Sequence, residues 1–93
     1  MRRYELMLVI RPDVADDKSQ ALVDRTTRGI VSAGGQIVKV APWGRRRLAY
    51  QIRKQREGQY VLMNLTLDPK STGELERNIR YLETVLRHML SVV

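Results

Sequence analysis

The chain enters its first regular element with the stretch Tyr4-Glu5-Leu6-Met7-Leu8-Val9-Ile10, and Arg11-Pro12-Asp13 ends that run. An apolar run of this length, bounded by a turn signal that contains proline, predicts a β-strand. Successive side chains of a strand point to opposite faces of the sheet. We therefore expect Leu6, Leu8 and Ile10 to face a core, and the face with Glu5, Met7 and Val9 to stay open.

The next segment has the periodicity of a helix. Asp16 or Asp17 is the predicted N-cap. Gly34-Gly35 is the predicted C-cap, because glycine adopts the left-handed conformation without a Cβ clash. Between these ends, four residues at helical spacing form an apolar stripe: Leu22, Thr26, Ile30 and Ala33.

Two further strands and their turn are predicted from the middle of the chain. The second strand runs from Gln36 to Ala41, is broken or bulged around Pro42-Trp43-Gly44, and resumes through Leu48, Tyr50 and Ile52. A turn near Gln55 to Gly58 leads to a third strand from Tyr60 to Leu67.

The last third of the chain predicts one more helix and one more strand. Ser71-Thr72-Gly73-Glu74 matches a capping box, and Leu75, Ile79 and Leu82 follow at helical spacing. Val85 to Val93 is the last predicted strand. The element order is βαββαβ, which favours an α+β ferredoxin-like fold: a four-stranded antiparallel sheet with both helices on one face. We expect residues 1–93 to form a single domain.

Composition narrows the function classes. The 93 residues are 43% hydrophobic and 29% charged, which is typical of a globular domain with one modest core. The absence of cysteine excludes a disulfide scaffold, a thiolate metal site and a cysteine nucleophile. His88 has no second histidine with which to share a metal, so we expect it half-buried in a structural role. The start of the chain lacks a small-residue cleavage site, and we expect a cytoplasmic protein.

Positive charge is concentrated in one quarter of the chain. The net charge is +7, and residues 36–58 carry +6 of it, because seven basic side chains there face Glu57 alone. Trp43 and Tyr50 lie in the same segment. A basic cluster with aromatic neighbours is typical of proteins that bind a phosphate backbone.

Enzymes and base-reading domains that share this element order need residues that the chain lacks. Acylphosphatase-type catalysis needs a glycine-rich loop after the first strand, but residues 11–15 contain no glycine, and Pro12 removes a backbone donor. An RNA-recognition motif needs a basic residue before the glycine of its third strand and aromatic residues after it, whereas here Glu57 precedes Gly58, Gln59 follows it, the later aromatic positions are aliphatic, and the chain has no phenylalanine. Backbone contact with folded RNA needs only charge and shape, and it remains open.

One stretch carries a family resemblance. The run Trp43-Gly44-Arg45-Arg46-Arg47-Leu48-Ala49-Tyr50-Gln51-Ile52-Arg53-Lys54, followed by Tyr60-Val61-Leu62-Met63-Asn64-Leu65, resembles the signature of the bacterial small-subunit ribosomal protein S-six family. Met1-Arg2-Arg3-Tyr4-Glu5 and Val85-Leu86-Arg87-His88-Met89 are similar to that family too. Two departures stand out: Gln51 replaces the proline of many members, and the sequence ends at Val93, where many relatives continue into a polar or acidic tail.

The resemblance implies the ferredoxin-like fold and a structural, non-enzymatic role without a cofactor. It also implies binding to the central domain of small-subunit ribosomal RNA together with ribosomal protein S-eighteen, as a heterodimer. We expect the phosphate contacts to come from the basic hairpin and the chain start: Arg2, Arg3, Arg45, Arg46, Arg47, Lys54 and Arg56. Trp43 is a candidate for stacking on a ribose or base, whereas Tyr50, which shares the parity of Leu48 and Ile52, is expected to pack.

A rival function belongs to a different class. A ferredoxin-like regulatory domain that senses a small molecule and dimerises through its sheet explains the fold and the open face. It does not explain the charge of the hairpin. A ligand-dependent dimer without RNA affinity would support it.

Overall fold

A computed structural model describes all 93 residues and has the predicted element order. The strands are β1 (Arg2–Ile10), β2 (Gln36–Ile52), β3 (Gln55–Leu67) and β4 (Val85–Val92), and the helices are α1 (Asp16–Ser32) and α2 (Thr72–Arg80), which follows a 3-10 turn (Pro69–Ser71). The four strands form one sheet in the order β2-β3-β1-β4, with every neighbouring pair antiparallel. The predicted α+β ferredoxin-like class is confirmed.

The main core lies between the sheet and the two helices. Fourteen buried residues form it, and they come from β1, β3, β4 and both helices. Leu6, Leu8 and Ile10 of β1 are fully buried there, as their alternation predicts. Ile30 of α1 and Ile79 of α2 close the core from the helix side. Burial of these side chains is the dominant favourable term for the fold.

The first helix ends as predicted but begins differently. Gly34 has φ +87°, and the amides of Gly34 and Gly35 donate to the carbonyls of Val31 and Ile30, which is a Schellman motif. The prediction that Asp16 or Asp17 caps the N-terminus is wrong: Ala15 is the N-cap, and no side chain caps it. Both aspartates lie in the first turn instead, where their charge favours the helix dipole.

The predicted capping box of the second helix does not form. Ser71 is the N-cap residue, but its side chain accepts no capping hydrogen bond. A 3-10 turn precedes the helix, and its own cap is Asp68, which accepts from the amide of Lys70 at 2.9 Å. The capped start of this helical segment is thus Asp68, three residues before the predicted cap at Ser71. Leu82 lies beyond the end of α2 and packs half-buried against the main core.

The turn between β2 and β3 is shorter and earlier than predicted. Ile52 pairs with Gln55, so only Arg53 and Lys54 connect the strands, and the predicted turn from Gln55 to Gly58 is wrong. Arg53 and Lys54 have φ of 49° and 67°. Two residues with positive φ match the right-handed twist of the flanking strands, although the usual residues there are Asn-Gly. The absence of such a signal explains the misplaced turn.

Strand β2 is interrupted by three irregularities in its pairing with β3. They lie between Ile37 and Lys39, between Pro42 and Gly44, and between Arg47 and Ile52. The second is the bulge predicted at Pro42-Trp43-Gly44. Each bulge adds local twist and bends the strand. Together they curl the distal half of the hairpin, residues 43–58, which we call the hairpin arm.

The arm builds a second cluster on the side of the sheet away from the helices. Three buried residues form this second cluster: Val9, Leu48 and Leu86. The prediction that Val9 stays open is therefore wrong. Leu86 reaches this face because the β1–β4 register shifts next to Val9; uninterrupted alternation would put Leu86 on the helix side with His88. Gly58 allows the backbone of the arm to approach Val9 closely, because a Cβ at Gly58 would lie 2.5 Å from Cγ1 of Val9.

The rest of this face, which we call the open face, has no covering element, with Met7, Leu62 and Met89 at its centre. Neither helix of the fold is long and apolar enough to cross a membrane.

Candidate nucleic-acid interface

The hairpin arm carries five of the predicted RNA-contact cations on its surface. Arg45, Arg46, Arg47, Lys54 and Arg56 are all exposed. The two ion pairs of the protein join Arg11 to Asp13 and His88 to Glu76, so none of these five side chains is in an ion pair, although Glu57 lies opposite Arg47. Unpaired guanidinium groups on a projecting strand pair are free to make bidentate contacts with phosphate.

The strand register divides the arginine run between two faces. Arg46 lies opposite Gly58 and therefore on the side of the second cluster, whereas Arg45 and Arg47 lie opposite Gln59 and Glu57 and point the other way. Trp43, in the bulge, is 44% exposed, and its ring centroid lies 5.1 Å from the guanidinium carbon of Arg46. Arg46 and Trp43 thus form a cation–π pair that presents charge and an aromatic surface together.

The two arginines at the chain start do not join this group. Arg3 pairs with Thr66, at the end of β3 remote from the arm, while Arg45 pairs with Gln59. Seven residues of β3 separate these positions, which corresponds to about 23 Å at the usual strand rise. Arg2 and Arg3 are exposed. They could reach only a separate part of an extended RNA surface.

Two arginines that sequence reasoning did not single out bind the protein itself. Nη1 of Arg53 donates to the carbonyl of Glu83 at 3.1 Å, and Nη1 of Arg87 donates to the hydroxyl of Tyr50. Tyr50 is 60% exposed, so the prediction that it packs inside the hairpin is wrong. Tyr50 lies in the irregular segment between Arg47 and Ile52, where the regular pairing with β3 is lost.

A glutamine fixes the root of the arm to the loop after β1. Nε2 of Gln59 donates to the carbonyls of Arg11 and Val14, at 3.1 and 2.8 Å, and its Oε1 accepts from the hydroxyl of Ser19 at 3.0 Å. These hydrogen bonds use both N–H donors of the half-buried amide and one acceptor position of its oxygen. The side chain therefore ties β3, the loop and the first turns of α1 into one unit.

His88 is half-buried on β4, as predicted, and its Nε2 lies 3.2 Å from Oε1 of Glu76 on α2. It links the edge strand to the second helix. No group of three or more histidine or acidic side chains is close enough together to hold a metal ion.

Comparison with known proteins identifies the family and matches the fold. The family model described as ribosomal protein S6 matches residues 3–91. The chain belongs to the ribosomal protein S6 family. The predicted family is thereby confirmed. Members of this family are proteins of the small ribosomal subunit, which is the cytoplasmic location that we predicted.

Relatives in this family align with the chain over almost its whole length. Small ribosomal subunit protein bS6 of Moorella thermoacetica is 41% identical over 91 residues, which cover 98% of this chain and 93% of the relative. The bS6 protein of an Exiguobacterium species is 43% identical over 89 residues, covering 96% and 94%. The crystal structure of the 30S ribosomal protein S6 from Thermotoga maritima superposes with a TM-score of 0.94 at 32% identity, over 99% of this chain and 87% of that one.

Proposed function

We propose that the chain is a non-catalytic structural component of the small ribosomal subunit. In this proposal it binds the central domain of the small-subunit ribosomal RNA through the hairpin arm, together with ribosomal protein S-eighteen as a heterodimer. It uses no cofactor. The observation that carries the RNA part is the set of five exposed cations on one curled hairpin, none of them in an ion pair.

The charge of the arm suits a phosphate backbone better than a small molecule. Its arginines point to both faces of the hairpin, so they present charge to an extended partner rather than to one pocket. The helix layer offers no comparable excess, because basic and acidic residues balance within each helix, three of each in α1 and two of each in α2. Binding of this kind releases counterions from RNA and is strongly dependent on salt.

The open face is the surface on which we propose that the protein partner docks. Met7, Leu62 and Met89 lie side by side across β1, β3 and β4, and no element of the chain covers them. Half-exposed apolar side chains that share one sheet face are typical of a protein-docking surface. We place S-eighteen here. The exposed edge of β2, where Val38 is 67% exposed, is the alternative docking position.

Co-sedimentation with bacterial small ribosomal subunits tests the whole proposal. We expect the chain to be retained at about one copy per subunit after a wash at moderate salt, and to be lost when S-eighteen is left out of the reconstitution. A chain that remains at the top of the gradient in both cases would contradict the ribosomal role.

A triple substitution tests the RNA surface. We expect Arg45→Ala, Arg46→Ala and Arg47→Ala together to weaken binding to a central-domain RNA fragment in the presence of S-eighteen. The slope of log affinity against log salt should fall by about one to two units, which corresponds to about one unit or less for each lost phosphate contact. The matched control replaces Arg25, Arg28 and Arg77, which are exposed on the helices. Equal losses in both triple variants would move the RNA site away from the arm.

Single charge insertions locate the protein partner. Met89→Glu places a carboxylate on the open face and should abolish capture of purified S-eighteen, whereas Tyr81→Glu on the helix layer should leave capture unchanged. Both side chains are exposed, so the fold should tolerate either change. If Val38→Glu blocks capture and Met89→Glu does not, the partner docks on the β2 edge instead.

A further inference from the structure

The tip of the hairpin arm reaches the far edge of the sheet. Strands β2 and β4 are opposite edges, with β3 and β1 between them. Even so, Tyr50 of β2 accepts a hydrogen bond from Arg87 of β4, and Arg53 of the turn donates to the carbonyl of Glu83, just before β4. The arm therefore crosses over Val9 and is fastened at two points on the other side.

These fastenings separate the arm cations into two groups. The guanidinium carbon of Arg87 lies 6.0 Å from the ring centroid of Tyr50, so this arginine both donates to the hydroxyl and packs on the ring. Arg53 is likewise committed to a backbone carbonyl. The remaining arm cations have no carboxylate partner. The arm thus holds one cation that binds the protein, Arg53, and others that are free for a ligand, while Arg87 fastens the arm from β4.

The arm needs such fastening because little else holds its tip. The second cluster, through which the arm packs on the sheet, has only three buried residues, compared with fourteen in the main core. The pairing with β3 is lost between Arg47 and Ile52, where four residues of β2 lie opposite Arg56 alone. An arm without further contacts would sample many orientations, and its apparent affinity for a partner would fall with the fraction in the competent one.

We propose that Tyr50, Arg53 and Arg87 form a clasp that holds the hairpin arm in its RNA-binding position. In this clasp Tyr50 is a positioning residue and makes no contact with RNA. The inference rests on the proposed RNA-binding function. It assigns a role to three residues that lie outside the predicted contact set.

Tyr50→Phe tests the clasp without changing charge. The loss of one hydrogen bond should weaken binding to the central-domain RNA fragment by about fivefold. The salt slope should stay unchanged, because no phosphate contact is removed. Tyr60→Phe is the matched control: the same atom is removed from the same hairpin, but the hydroxyl of Tyr60 makes no hydrogen bond, so binding should equal that of the original chain.

Arg87 separates positioning from direct contact. Arg87→Ala removes the hydrogen bond and also the packing on the ring of Tyr50, so it should weaken binding at least as much as Tyr50→Phe. The double variant should be no weaker than Arg87→Ala alone, because the hydroxyl of Tyr50 has no other partner. Arg80→Ala, an exposed arginine of α2, controls for general charge loss. If Arg87→Ala lowers the salt slope by about one unit while Tyr50→Phe binds normally, Arg87 contacts phosphate and the clasp is overturned.

Hydrogen exchange in the free protein gives a readout that does not depend on RNA. Backbone amides of residues 48–57 should exchange faster in Tyr50→Phe than in the original chain and at the original rate in Tyr60→Phe. Unchanged exchange in Tyr50→Phe would refute the clasp. If the original chain bound no central-domain RNA at all, the proposed function would fail, and the exchange rates would still decide whether the clasp exists.

Discussion

The two sides of the sheet carry hydrophobic clusters of very different size and purpose. On the helix side, fourteen buried residues from five elements form the main core. On the other side, Val9, Leu48 and Leu86 form a cluster that only the hairpin arm covers. The first cluster determines whether the chain folds. The second holds the charged arm against the sheet, so the difference separates the stability of the fold from the placement of the proposed binding surface.

The largest effect is expected from a cavity in the main core. Leu8 is fully buried between the sheet and the helices. Leu8→Ala should lower the free energy of unfolding by about 2–5 kcal/mol, since both the transfer term and the cavity term apply in full. Urea denaturation measures the change. A loss below about 1 kcal/mol would show that the main core is not the principal source of stability.

A smaller effect is expected from the same truncation in the second cluster. Leu48→Ala should cost about 2 kcal/mol or less, because one side of the cluster borders solvent and the arm can settle onto the space left. Denaturation by urea and exchange of the arm amides together show whether the loss is global or local. A cost equal to that of Leu8→Ala would erase the distinction between the two clusters.

The sequence predicts the main core better than it predicts the second cluster. The alternation of Leu6, Leu8 and Ile10 and the helical spacing that includes Ile30 predicted the main core correctly, because regular elements keep their period over several residues. The second cluster depends on a bulge at Leu86 and on the irregular segment near Leu48. A bulge shifts every later side chain to the opposite face, and no composition signal marks these two.

The candidate RNA surface was likewise predicted only in part from the sequence. Its charge was evident from the sequence, since a cluster of arginines needs no three-dimensional information. The fastening of Arg53 and Arg87 to the protein was not, because their partners lie 30 and 37 residues away in the chain. The separation of Arg2 and Arg3 from the arm likewise depends on strand register, which sequence alone leaves undetermined.

A glycine substitution tests how tightly the arm is packed down. In Gly58→Ala the new methyl group would lie 2.5 Å from Cγ1 of Val9 and 3.3 Å from the carbonyl oxygen of Ile10. We expect a loss of about 1–2 kcal/mol in unfolding free energy, as in other overpacked sites. Gly73→Ala is the control, since nothing lies within 4 Å of its added methyl group and alanine favours a helix. Equal stability of the two variants would mean that the arm yields freely.

The smallest effect on stability is expected from the exposed charge of the arm. Arg46→Ala removes a cation–π pair with Trp43 at an exposed site, which contributes about 0.5–1 kcal/mol at most. Thermal unfolding should therefore barely change, while the affinity for the RNA fragment should fall. A variant that loses stability and affinity together would show that the arm does not separate folding from binding.

The bulges of β2 also affect whether copies of the protein associate through their edge strands. An edge strand with a long regular ladder offers its free amides and carbonyls to a strand of another molecule, which is a route to aggregation. Along β2, the longest regular runs of pairing with β3 are four residues each, from Lys39 to Pro42 and from Gly44 to Arg47. Pro42 donates no backbone hydrogen bond, and charged side chains occupy both runs. The irregularities that aim the arm therefore also protect a seventeen-residue edge from adding strand upon strand to other copies in a crowded solution.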